Sequence, residues 1–163
     1  MQKEMLKPEE SLLQEKTQKS FFQKQHENLL LSSTYAVHIV EEEKSEPNWM
    51  IARLLPDFLN LLHSHCMLEE DFMILTRYPD YFWHENEHKK LLHNWRRCNQ
   101  KNLPGKEKSL LIRENTLALS RHIATLDSKL GSFAEKNHIP DELSLLKMYG
   151  IRFGTCGLFP KKG

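Results

Sequence analysis

A chain of 163 residues with 39% hydrophobic residues is sized for one domain with a real core. Its formal net charge of +1 gives no basis for a nucleic-acid or anionic-membrane partner. No apolar run approaches the roughly 20 residues of a membrane span. The three cysteines, Cys66, Cys98 and Cys156, are far apart and form neither a disulfide framework nor a Cys-x-x-Cys site. With a polar start that lacks a signal-peptide core, the expected location is the cytoplasm. Runs of alternating β-branched residues are absent, so the expected class is all-α. Nine histidines in this length ask for an explanation.

Residues 1–19 read as a charged N-terminal extension, with Pro8-Glu9-Glu10 suited to opening a short helix. Ser20 can cap a first long helix that runs to about Glu43. Its inward face carries His26, Leu29, Leu30, Ser33, Thr34 and Val37, and His38 lies about 120° away. After the loop 43–48 a second long helix carries Trp49, Ile51, Leu54, Leu55, Phe58, Leu62, His65, Glu69 and Phe72. Pro56 within it should kink or break that helix. His63 faces another way.

Pro79 then suits the start of a third helix, Asp80 to about Asn99, whose inner face holds His84, His88, Leu91, Leu92 and Trp95. His93 lies off that face. A fourth helix, from about Lys106 to Ala134, carries Leu111, Ile112, Asn115, Leu119, His122, Ile123, Leu126 and Leu130. Residues 136–163 form a C-terminal extension, in which Ile139-Pro140-Asp141 starts a short helix through Leu143, Leu146 and Met148. The expected architecture is an up-down-up-down four-helix bundle over residues 20–135.

The stretch from His65 to His88 is the chemical centre. His65 and Glu69 stand at i, i+4, as do His84 and His88, so each pair shares a helix face. The Tyr78-Pro79-Asp80 turn lets the two pairs face each other. Three neutral imidazoles and a carboxylate aimed into one gap are costly in an apolar core. A metal removes that cost by turning each lone pair into a ligand bond. Scattered surface histidines are the weaker alternative. His26 and His122 also face inward, one from each remaining helix. Asp127, five residues after His122, lies about 140° away on an ideal helix. Taken alone, the two do not share a site; only a local widening of the helix, as in a π-turn, would rotate Asp127 back.

These residues resemble the hemerythrin family. The matching pattern is His26, His65-x-x-x-Glu69, His84-x-x-x-His88 and His122-x-x-x-x-Asp127. The Gln25-His26 start, the Tyr78-Pro79-Asp80-Tyr81 turn and the His122-Ile123 step match as well, over about residues 20–135. The resemblance brings Asp127 into the set, because the five-residue step is the family's own. It implies two iron ions with an oxo or hydroxo bridge. His84, His88 and His122 would hold one and His26 and His65 the other, with Glu69 and Asp127 shared. Manganese or zinc ranks behind iron. The second ion would keep an open position for O2 or another small diatomic or peroxide, for storage, delivery or sensing.

The chain departs from the family's pattern at the wall of the O2 pocket. Cys66 stands where Phe is common, and Ala118-Leu119 replaces Trp-Leu, while Leu119 and Ile123 keep part of the apolar lining. Leu130 stands at a frequent tyrosine, and Gln23 where the family has an acid. A pocket enlarged beside Cys66 and Ala118 implies the alternative of a diiron enzyme. That would be an oxidase, oxygenase or peroxidase, or a consumer of NO or peroxide, with room for an organic substrate.

Overall fold

The computed structural model describes residues 20–42, 49–100, 103–140, 142–148 and 150. The expected helix at Pro8 and Cys156 lie outside them. Helix α1 spans Phe21–Glu42. Ser20 caps it reciprocally: its Oγ accepts from the Gln23 N–H at 3.2 Å, and Gln23 Oε1 accepts from the Ser20 N–H at 2.9 Å. That exchange satisfies two of the donors a helix start leaves open. The inward face of α1 is Phe22, Leu29, Ser33, Ala36 and Ile39. Thr34, expected inside, is exposed, because the face drifts toward Ala36 and Ile39 over the helix's length.

Helix α2, Trp49–Thr76, passes through Pro56 as one helix and does not break there. Pro56 is exposed, as is Ala52, so water can serve the carbonyl that the proline leaves without a donor. Buried Ile51, Leu55, Phe58 and Leu62 anchor both sides of it to the core. At its end Arg77 turns left-handed at φ 54°. The Tyr78 N–H then donates to Met73 O at 2.9 Å and the Arg77 N–H to Ile74 O at 3.2 Å. Both Met73 and Tyr78 are buried, which completes a Schellman stop and turns the chain sharply into the next helix.

Helix α3 is Tyr81–Cys98. Helix α4, Gly105–His122, continues through a π-turn at Ile123–Asp127 into α5, Ser128–Lys136. A second left-handed stop at His138, φ 53°, precedes the short α6, Glu142–Met148. Among the described residues there is no strand, and no helix is long and apolar enough to cross a membrane.

Helix α1 packs against α2 and α4, and α3 packs against the same two, so four rods enclose one interior. The core has two apolar clusters. The larger holds Leu29, Ile51, Phe58, Leu62, Cys66, Leu91, Trp95, Ile112 and Leu119, among others. The smaller holds Phe22, Leu68, Phe72, Met73, Tyr78 and Leu130, and α6 adds Leu145 and Leu146 to it. Each fully buried leucine contributes roughly 1.5–3 kcal/mol, so these clusters carry the fold. His26, Glu69, His84, His88, His122 and Asp127, with His65 one turn from Glu69, fall in the layer where the two clusters meet.

Candidate metal centre

Each rod delivers polar groups to that layer. Helix α1 gives His26, and α2 gives His65 and Glu69 from successive turns of its buried face. Helix α3 gives His84 and His88, and α4 gives His122. Asp127 arrives through the π-turn. The extra residue in that turn brings its Oδ1 to 3.0 Å from His122 Nε2, where a regular α-helix turns it aside. All but His26 are buried, and the His26 side chain is 14% exposed.

The donors fall into two groups that can each hold a metal ion. One is Glu69, His84, His88, His122 and Asp127; the other is His26, His65, Glu69 and Asp127. The rings follow the same division. His84, His88 and His122 have mutual centroid distances of 4.6–4.9 Å, and His26 and His65 lie 4.8 Å apart. Both carboxylates belong to both groups, and each divides its oxygens between them. Glu69 Oε1 lies 3.3 Å from His26 and 3.6 Å from His65, while its Oε2 lies 3.3 Å from His88 and 3.6 Å from His84. Asp127 Oδ2 lies 3.2 Å from His26 and 3.9 Å from His65, while its Oδ1 lies 2.9 Å from His84 and 3.0 Å from His122.

These distances suit ligands of a common ion. Two donors held at right angles about 2.1 Å from one metal lie about 3.0 Å apart. Directions agree as well. His65 Nε2, Glu69 Oε2, His88 Nε2 and Asp127 Oδ2 are buried yet complete no hydrogen bond, despite neighbours within 4 Å. They converge on shared points instead of aiming at each other. A buried polar atom without a partner is costly, and a cation removes that cost.

The electrostatics describe what the carboxylates do to the imidazoles. Burial alone lowers the pKa of His26, but Asp127 and Glu69 outweigh it and raise it to about 9. His88 likewise rises to about 9 against its own burial, through Glu69 and then Glu70. Burial and the Asp127 charge push Glu69 upward, yet His65, His26 and His88 bring it down to about 2. Asp127 is held well below the usual carboxylate range against its burial, first by His122 and then by His26, His65 and His84. The cluster therefore favours anionic oxygens and positive charge between them.

Two further residues reach histidines of this layer from behind. Gln25 Oε1 lies 3.1 Å from His65 Nδ1, and Glu70 Oε1 lies 2.9 Å from His88 Nδ1. Neither role is legible in residue spacing alone. Both sit beside a residue of the layer in the chain, Gln25 before His26 and Glu70 after Glu69, and each meets a histidine on another rod. Such adjacency could have marked both, and the Gln25-His26 start already singled Gln25 out. His38, His63 and His93 are exposed and stay outside the layer. Cys66 and Leu119 are buried in the larger apolar cluster, with Ala118 and Ile123 packed against it. Burial pushes the Cys66 thiol up, and the charges of Glu69, Glu70 and Asp127 push it further, so it stays a neutral thiol. No family model, curated protein or solved structure matches the chain.

Proposed function

We propose that the chain is a hemerythrin-like non-haem diiron protein that binds O2 at its less encumbered iron. The observation that carries this reading is the split of Glu69 and Asp127, each with one oxygen toward each histidine group. Shared carboxylates are what a pair of ions a few ångströms apart requires. Mixed imidazole and carboxylate donors suit iron ahead of zinc, and a single closed zinc site leaves several of these buried donors unsatisfied. A bound iron pair supplies two electrons to a small oxidant.

The protein's own residues supply the rest. His84, His88 and His122 surround one position, and only His26 and His65 the other, which leaves more open coordination there. His26 is the ligand with exposed surface, so that emptier position lies nearest solvent. Leu119 and Ile123 offer an apolar wall, and the Cys66 thiol adds no charge to it. The up-down-up-down order belongs to the same reading. Along α1 the chain runs from Phe22 in the smaller cluster, through His26, to Leu29 and Ile39 in the larger. Along α2 the order reverses, along α3 it reverses again from Tyr81 to Trp95, and along α4 and α5 once more from Leu119 to Leu130.

A second reading, an enzyme that consumes O2 or peroxide, is favoured by the partial exposure of His26. Water that reaches the open position supplies the protons that turnover requires. Anaerobic reduction followed by air separates the two. A carrier or sensor gives an oxygenated absorption spectrum that persists and reverses under vacuum. An enzyme gives steady consumption of O2 or peroxide with a reductant. No response to air from an iron-loaded chain overturns both.

A further inference from the structure

When the Nε2 of a ligand histidine faces an ion, its Nδ1 carries the proton and needs an acceptor. The ligand histidines meet this need unequally. His88 finds the Glu70 carboxylate at 2.9 Å, and the Glu70 side chain is 25% exposed. His65 finds the neutral Gln25 amide at 3.1 Å. His84 Nδ1 is buried without an acceptor. A carboxylate behind an imidazole makes a charge-assisted hydrogen bond, fixes the ring and strengthens its donor nitrogen more than an amide does.

We infer that Glu70 and Gln25 make the two ion positions unequal. The position held by His84, His88 and His122 fills first and more tightly, because Glu70 backs His88 with a full negative charge. The position at His26 and His65 fills second, with a neutral amide behind His65. This rests on the two-ion reading above. Glu70 and Gln25 are positioning residues: neither faces the space between the ligands, and each acts through a histidine of another rod. The same asymmetry holds the better-supplied ion in place while the other exchanges or reacts.

The test titrates the full chain, stripped with a chelator, with Co2+, whose visible absorption reports coordination. The wild-type chain should take up two ions in two resolved steps at least tenfold apart. Glu70→Gln keeps an acceptor and removes the charge. It should weaken the first step by about 10- to 100-fold and leave the second unchanged. His84→Ala should abolish that same step. Gln25→Glu should tighten the second step by about tenfold or more. Two wild-type steps of equal affinity overturn the inference. So does a Glu70→Gln variant that leaves both steps within twofold, or weakens both alike as a general structural defect would. A wild-type chain that takes up fewer than two Co2+ overturns the two-ion reading instead.

Discussion

Removing Ala124 shortens the step from His122 to Asp127 from five residues to four. On a regular α-helix, four residues turn 400°, which leaves the carboxylate about 40° from the histidine, whereas five leave it about 140° away. The π-turn at Ile123–Asp127 now absorbs the difference. Ala124 is exposed, so its removal deletes no core contact. The deletion should straighten α4 and α5 into one helix, keep His122, Asp127 and Leu130 on one face, and draw the last part back by about 1.5 Å. Insertion of one alanine after Ala124 does the opposite. It turns everything beyond it by about 100°. Asp127 then leaves both ion positions, and Leu130, 2% exposed, leaves the core. Lost burial of one leucine alone costs about 1.5–3 kcal/mol. Metal content per chain and thermal unfolding followed by circular dichroism read both effects. The deletion should retain metal and melt no earlier than a chain with Ala124→Gly. The insertion should lose metal and melt several degrees lower. A deletion variant without metal, beside an insertion variant that keeps it, would refute the role given to the π-turn.

Other expectations follow from the same geometry. His26→Ala should leave about one ion per chain, because the His84, His88 and His122 group keeps its ligands, whereas Glu69→Ala should lose the magnetically coupled pair. His93→Ala should leave metal content unchanged, since His93 is exposed on α3. Uptake of divalent metal near pH 7 should release about two protons, because His26 and His88 stay protonated up to about pH 9 without an ion, and calorimetry in buffers of different ionisation heat reads this. Stability of the stripped chain should also depend on pH. The raised pKa values of His26 and His88 contribute fully below about 6.5 and are lost as pH climbs through 9, at most about 3 kcal/mol each. The lowered Glu69 contributes above about 4.5 and is lost as pH falls through 2, so the optimum lies between. A denaturation midpoint that rises from pH 6.5 to 9 would contradict the assigned partners.

Much of this centre could be read from spacing, because an i, i+4 pair on a helix needs no knowledge of neighbouring rods. His65 with Glu69 and His84 with His88 are of that kind, and the faces that carry His26 and His122 follow from the leucines around them. Asp127 is different. The segment Ile123-Ala124-Thr125-Leu126-Asp127 contains no glycine or proline to announce a shift from i→i+4 to i→i+5 bonding. Residue spacing alone pointed away from it, and only the family resemblance argued for it. The roles of Gln25 and Glu70 are hidden for another reason. Each borders a ligand on its own helix, and its role depends on which ring the next rod presents. Pro56 misled in the opposite direction, since a proline's cost depends on whether solvent can serve the freed carbonyl.

The most direct test of the two-ion account is a crystal structure of the iron-loaded chain with anomalous scattering recorded at the iron edge. The account predicts two peaks about 3.5–4 Å apart. Glu69 and Asp127 should lie between them, with His84, His88 and His122 around one and His26 and His65 around the other. A single peak, or two that share neither carboxylate, would contradict it.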